Sequence, residues 1–429
     1  MMRKVAFYTL GCKLNYAESS MLQRKFEQSG YQKVSFDAEA DVFVINTCSV
    51  TQVADKKCRQ AIKKATSKGA KVVVIGCYSQ LKPEEIAAIE GVDLVLGTAD
   101  KFKLVEHVES LWNGNAVKIH SCDIASVNSY EASYSISDRT RAFLKVQDGC
   151  DYHCSYCTIP LARGSSRNED ISSVVSRAKE IAAKNTKEIV LTGVNIGDFG
   201  KTTGENFFEL VKQLDKVEGI ERYRISSIEP NLIHDEIIDF VKSSNRFAHH
   251  FHIPLQSGCD KILAAMGRRY KREVFAARVK AIKEVMPYAC IGADVIVGFP
   301  GETDDDFMDA FEFIKSLPVS YLHVFPFSER PNTKAFDMKG KLSPQVKERR
   351  SKALIELGNV KKEAFIQENI GRKETVIFES KLKDGQMHGF TSNYIKVSAP
   401  YDKKLIAALS AVTLDEVLDN MLVKASIVS

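Results

Sequence analysis

The chain has 429 residues, room for about three domains of ordinary size, and 60 Lys and Arg against 55 Asp and Glu leave a net charge of +5. That balance permits a nucleic-acid partner without demanding one. Ten cysteines are too sparse and uneven for a secreted disulfide scaffold, and no apolar run reaches the roughly 18 residues of a membrane span; thiols used as metal ligands must stay reduced, which places the chain in the cytoplasm.

Residues 5–10, 42–46, 72–75 and 94–96 are short apolar runs of strand type, with helical spacing over 18–28, 54–68 and 83–89 between them. This alternation predicts a parallel α/β domain over 1–118 with helices on both faces. Three of its strands run into a cysteine: TLGC at Cys12, INTC at Cys48 and VIGC at Cys77. Carboxyl ends of strands in an open parallel sheet share the edge where ligands bind. The three cysteines therefore converge if their strands are neighbours; buried cysteines acting as small apolar residues are the alternative. Residues 119–141 are polar and Ser-rich and read as a linker, its body at 119–138.

From residue 142 the alternation resumes, with strand candidates at 143–146, 189–191, 222–226, 249–253, 289–297 and 321–325. Six repeats rather than eight predict an incomplete (β/α)6 barrel over 139–368, with active groups at the carboxyl ends of its strands. The first strand enters CDYHCSYC, where Cys150, Cys154 and Cys157 are spaced by three and then two residues. The next cysteine, Cys259, is read as capping a helix. Structural zinc takes four protein ligands, so three thiolates with an open position suit an iron–sulfur cluster that accepts a further ligand. A zinc site completed by His153 or a distant residue is the alternative. His249, His250 and His252 read as half-buried hydrogen-bonding residues. A charged helix over 347–367 leads into 369–429, where strand-like runs recur and eight basic residues face seven acidic ones from Arg372 onward, a weak charge for holding phosphates.

The stretch RAFLKVQDGCDYHCSYCTIPLARG resembles the signature of radical S-adenosylmethionine (SAM) enzymes, in their methylthiotransferase branch. HIPLQSGCDKILAAMGRRY resembles a second signature of that branch, and TLGCKLN, NTC and GC resemble its N-terminal domain. The resemblance implies that Cys150, Cys154 and Cys157 hold a 4Fe-4S cluster whose open iron is chelated by S-adenosyl-L-methionine. It implies a second 4Fe-4S cluster on Cys12, Cys48 and Cys77, making all six cysteines catalytic. One electron, from a donor such as a flavodoxin or ferredoxin, would then cleave the sulfonium to a deoxyadenosyl radical. The family pattern points to Gly193 near the methionyl amine and to Gln256 as a polar contact. For Glu229 a ribose contact competes with a helix cap before Pro230. ADVIVGFPGE departs from the superfamily pattern, with Asp294 where glycine is usual and Glu302 displaced by one, so only a backbone contact at Gly298 carries over.

The tail resembles the small β-barrel TRAM domain, an RNA-binding module. TLGCKLN and NTCSVTQVADKKCRQAIKKA are most similar to the branch acting on threonylcarbamoyladenosine in tRNA; the isopentenyladenosine branch typically reads Gln-Met-Asn at Lys13-Leu14-Asn15. The expected reaction is methylthiolation at carbon 2 of threonylcarbamoyladenosine next to the anticodon. The alternatives are isopentenyladenosine, a ribosomal protein, or a zinc-stabilised RNA-binding protein without catalysis.

Overall fold

Six parallel strands, in the order β2-β1-β3-β4-β5-β6, form the N-terminal sheet of the computed structural model, which describes residues 2–114, 117–136, 140–380 and 382–428. They are β1 (Lys4–Thr9), β2 (Gln32–Val34), β3 (Val42–Thr47), β4 (Lys71–Gly76), β5 (Leu94–Leu96) and β6 (Ile119–His120). β3 and β4 are apolar almost end to end because both faces of the sheet are covered. Helix α1 (Lys13–Gln28) packs Leu22 and Phe26 against one face, and α2 (Gln52–Thr66) packs Ala61, Ile62 and Ala65 against the other. Helix α1 begins five residues before the expected start. Asn15 and Glu18 are buried on it, and polar residues at core positions mask the apolar period from which helices are read.

The expected linker is not free of the fold. Its first residues are strand β6, and further on Ser135 N–H donates to Phe143 O and Lys145 N–H to Ser133 O, both at 3.0 Å.

The central strands are β7 (Arg141–Lys145), β8 (Glu188–Thr192), β9 (Arg222–Ile225), β10 (His250–Gln256), β11 (Cys290–Val297) and β12 (Tyr321–Pro326). They form two parallel arcs, β7-β8-β9 and β10-β11-β12, joined by the parallel bridges Tyr223–Phe247 and Ser227–His252. This is the expected incomplete barrel. Helices on its outside start at caps from Asp170, Asn206 and Thr303, side chains that accept otherwise unsatisfied backbone N–H bonds.

After the long helix Pro344–Gln367, strands β13 (Lys373–Phe378), β14 (Gln386–Thr391), β15 (Lys396–Pro400), β16 (Leu409–Leu418) and β17 (Leu422–Ile427) close a small barrel in the order β13-β14-β15-β17-β16. It docks on β9 through buried guanidinium groups. Arg222 donates to Thr375 O at 2.8 Å and Phe390 O at 3.0 Å, and Arg224 to Thr391 O at 3.1 Å and Ser392 O at 3.0 Å. Buried cations need such acceptors, so these bonds fix where the small barrel sits. Among the described residues no helix is long and apolar enough to cross a membrane.

Candidate active site between the sheet edge and the barrel mouth

Strands β1, β3 and β4 are direct neighbours, with Thr9 opposite Asn46 and Thr47 opposite Gly76. Their carboxyl ends therefore lie side by side, and Cys12, Cys48 and Cys77 follow them. Two glycines make the close approach feasible. Gly11 has φ +104°, and a Cβ there would stand 2.7 Å from Cys48 Cβ. Gly76 has φ +102°, and its Cβ would meet Thr47 O at 2.4 Å. Cys12 is the N-cap of α1, and Cys77 opens α3 (Cys77–Leu81). Burial, together with the neighbouring Cys77 and Cys12, pushes the Cys48 thiol up to about 12; burial also raises Cys77. A thiol held up by burial becomes a thiolate only against a strongly cationic centre, and a metal cluster is one.

The other triad sits on a loop held from three sides. Gln147, fully buried, accepts the N–H groups of Val194 and Asn195 at 2.8 and 2.9 Å, and donates to Gly149 O at 2.7 Å and Ser166 Oγ at 2.9 Å. Gly149 has φ +70°, and a Cβ there would lie 1.9 Å from Ser165 O. Burial pushes Cys150 and Cys157 up to about 12. Hydrogen-bond donors nevertheless face all three sulfurs: Tyr152 N–H to Cys150 and Ile159 N–H to Cys157, both at 3.4 Å, and the Arg268 guanidinium to Cys154 at 3.2 Å. Donors aimed at sulfur in a half-buried loop suit thiolates that carry a cluster.

Two cavities meet at these triads. One, of about 380 Å³, is lined by Cys48, Cys157, Gln256 and Asp294. The other, of about 700 Å³, is lined by Cys12, Lys13, Cys48, Gly193, Arg224, His252, Asp294 and Tyr394 among others. Both sizes are those of ligand sites. A larger hollow of about 1010 Å³ lies at the opposite edge of the N-terminal sheet, around Lys4, Asp41 and Lys71, with no cysteine in its lining. In the 700 Å³ cavity, Asp294 Oδ1 stands 3.1 Å from His252 Nε2 and 3.2 Å from His323 Nδ1. Burial alone would raise this carboxyl, but the two imidazoles hold it well below the usual carboxylate range. The three donor atoms lie within 4.8 Å of one another, close enough to share a cation.

The remaining expected contacts divide. Gly193 lines the larger cavity, where a Cβ would crowd Gln147 Oε1 at 2.9 Å. Gln256 lines the smaller one from a left-handed backbone, φ +65°, at a bulge in β10. Glu229 caps nothing with its side chain; its buried carboxylate is paired with Arg268, the residue that also reaches Cys154. The amide of Gly298 is already donated to Glu302 Oε2 at 2.7 Å, which leaves that N–H unavailable to a ligand. Cys259 stands at the start of helix Asp260–Ala265, but its side chain makes no cap; it is buried.

Sequence reasoning gave no role to Glu18, Asp148, Arg163 or Arg268, and did not join His323 to His252. Charged residues look alike on a surface and in a buried network until the fold places their partners.

A parallel six-stranded barrel whose first strand opens into a three-cysteine loop, facing a second cysteine site across a cavity, defines an enzyme of the radical SAM class. The comparisons agree. Residues 144–314 match the model of the Radical SAM superfamily, and residues 4–97 match that of the Uncharacterized protein family UPF0004. The chain is 40% identical to the threonylcarbamoyladenosine tRNA methylthiotransferase MtaB of Aquifex aeolicus, over 92% of this chain and 96% of that protein. Identity to the Bacillus subtilis protein of the same name is also 40%, over 92% and 90%. A tRNA-2-methylthio-N(6)-dimethylallyladenosine synthase of Natranaerobius thermophilus is 33% identical, over 94% and 92%. Among solved structures, the radical SAM methyltransferase TsrM of Kitasatospora setae shares the fold, with a TM-score of 0.59 at 14% identity over 78% of this chain and 77% of that one. The chain belongs to the radical SAM tRNA methylthiotransferase family.

Proposed function

We propose that the protein methylthiolates carbon 2 of threonylcarbamoyladenosine next to the anticodon of tRNA, in the cytoplasm, with an electron donor such as a flavodoxin or ferredoxin. The observation that carries this reading is the pair of adjoining cavities: Cys48 lines both, Cys157 the one and Cys12 the other. Activation and sulfur transfer then take place around one bound nucleoside. The relatives at 40% identity bear the name of this reaction.

On this reading Cys150, Cys154 and Cys157 hold one 4Fe-4S cluster and Cys12, Cys48 and Cys77 the other. When bound, these clusters supply the electron that cleaves S-adenosyl-L-methionine and a place from which sulfur is delivered. The chain's own residues position and enclose. Gln147 locks the first cysteine loop to the loop after β8, Gly193 leaves space beside it, and Tyr394 walls the cavity against water. The division of labour is 1–118 for the second cluster, 119–138 as a connection, 139–368 for the radical and 369–429 for RNA.

Mass spectrometry of tRNA nucleosides from cells with and without the gene tests this. The 2-methylthio form of threonylcarbamoyladenosine should vanish on deletion while its unthiolated precursor accumulates. Loss of methylthiolated isopentenyladenosine instead would transfer the assignment to the sister reaction.

A further inference from the structure

The 700 Å³ cavity carries an uneven charge. Three cations face it: Lys13, Arg141 and Arg224. Two are already tied. Arg141 pairs with Glu379 at 3.0 Å, and Arg224 with Glu188 at 3.2 Å while also donating to two carbonyls of the small barrel. The cavity's own carboxylate, Asp294, is shared between His252 and His323. Lys13 makes no ion pair among the described residues, and its side chain is open to the cavity. It is the first residue of α1, so it stands at the end of the cavity where Cys12 and Cys48 lie. The lining also offers aromatic surface from Phe143, Tyr321, Phe325 and Tyr394, which suits a purine base.

An unpaired ammonium among like charges, in a walled cavity, is a site for an anion. Of the groups that a modified adenosine carries on N6, the threonylcarbamoyl group has a free carboxylate, ionised at neutral pH; an isopentenyl group has none. We propose that Lys13 binds the carboxylate of the threonylcarbamoyl group and so selects this adenosine over one bearing an uncharged N6 substituent. The proposal rests on the function assigned above and adds the residue that reads the substrate. An N6-alkyl group in the same place would cover the ammonium and give it no partner, which disfavours the analogue that lacks the carboxylate.

The test uses the full-length, reconstituted enzyme and three synthetic anticodon stem-loops, carrying threonylcarbamoyladenosine, its methyl ester, or isopentenyladenosine. The wild-type chain should prefer the acid to the ester in kcat/KM by about tenfold or more, the scale of one charge-assisted hydrogen bond. In Lys13→Gln that ratio should fall below about threefold, and in Lys13→Arg it should be largely kept. Because Lys13 adjoins Cys12, iron content is measured on each variant, and the acid-to-ester ratio is read a second time as equilibrium binding by fluorescence anisotropy, which needs no turnover. An unchanged ratio in Lys13→Gln overturns the proposal. So does an equal loss on acid and ester with a reduced salt slope, which would make Lys13 a contact to an RNA phosphate. A wild-type enzyme that uses acid and ester alike overturns this proposal and leaves the function standing; one that uses only isopentenyladenosine overturns both.

Discussion

Arg163 Nη1 lies 3.0 Å from Glu18 Oε1 across the seam between barrel and sheet, and neither side chain is more than 1% exposed. Arg163 ends the short helix Ile159–Arg163 that leaves the first cysteine loop, and Glu18 sits on α1 just past Cys12. The same guanidinium donates to Asp148 Oδ1 at 2.9 Å and to Asn15 Oδ1 at 2.7 Å. Lys101, Lys145 and Arg167 join the network, so four cations meet two carboxylates. The surplus positive charge faces Cys77 and Cys12. One buried network thus links α1, which follows Cys12, to the loop that carries Cys150, Cys154 and Cys157.

Glu18→Gln should cost about 3–5 kcal/mol, because removing one partner of a buried ion pair leaves the other uncompensated. Burial alone would raise this carboxyl, but Arg163, Lys101 and Lys145 outweigh it and hold it at about 2. A depressed folded-state value means that its stabilisation is complete above the unfolded value near ~4.3 and is lost as pH falls toward 2. Denaturant unfolding of wild type and variant at pH 7 and pH 3.5 checks this: the gap between them should narrow at the lower pH.

Replacing Cys150, Cys154 and Cys157 by alanine should abolish both deoxyadenosine formation and the methylthio product. Replacing Cys12, Cys48 and Cys77 should leave deoxyadenosine measurable and abolish the product, because these three stand on a separate sheet edge. Circular dichroism accompanies the assay, since loss of a cluster can unfold what holds it. Catalytic methylthiolation by the folded second-triad variant would show that the sulfur comes from elsewhere.

Gly149→Ala should behave as a first-triad knockout without touching a cysteine. Its Cβ would overlap a backbone oxygen at 1.9 Å from a positive φ, so the loop must move. Iron bound after reconstitution should fall by about one cluster of two. Normal iron content with full S-adenosylmethionine cleavage would contradict the argument.

Arg268→Gln removes the donor to Cys154 and leaves the buried Glu229 without its cation. Hydrogen bonds to cluster sulfurs raise the reduction potential, so a redox titration should show a more negative first cluster and slower reductive cleavage.

Deleting residues 371–429 should cost more than RNA affinity. Arg222 and Arg224 would lose their carbonyl acceptors, and Tyr394 would leave the cavity wall. The unfolding midpoint of the remainder should drop, and methylthiolation should fall even at saturating tRNA. A remainder of unchanged stability would mark the small barrel as an independent appendage.

The amino-acid sequence by itself determined the alternating elements and the two cysteine sets. Strand and helix periods are local properties, and the spacing of Cys150, Cys154 and Cys157 lies within a single loop. It also located Cys12, Cys48 and Cys77 at strand ends, subject to those strands being neighbours. Strand order settled that condition, and it is set by packing between segments distant in the chain. Only the tertiary structure decided the rest. Glu18, Asp148 and Arg163 became a buried network, Arg222 and Arg224 became anchors for the small barrel, and Lys13, of the three cavity cations, was left without an ion pair among the described residues. A charge has no periodicity to read. What it does depends on burial and on partners brought from up to a hundred and more residues away, and both exist only once the chain has folded.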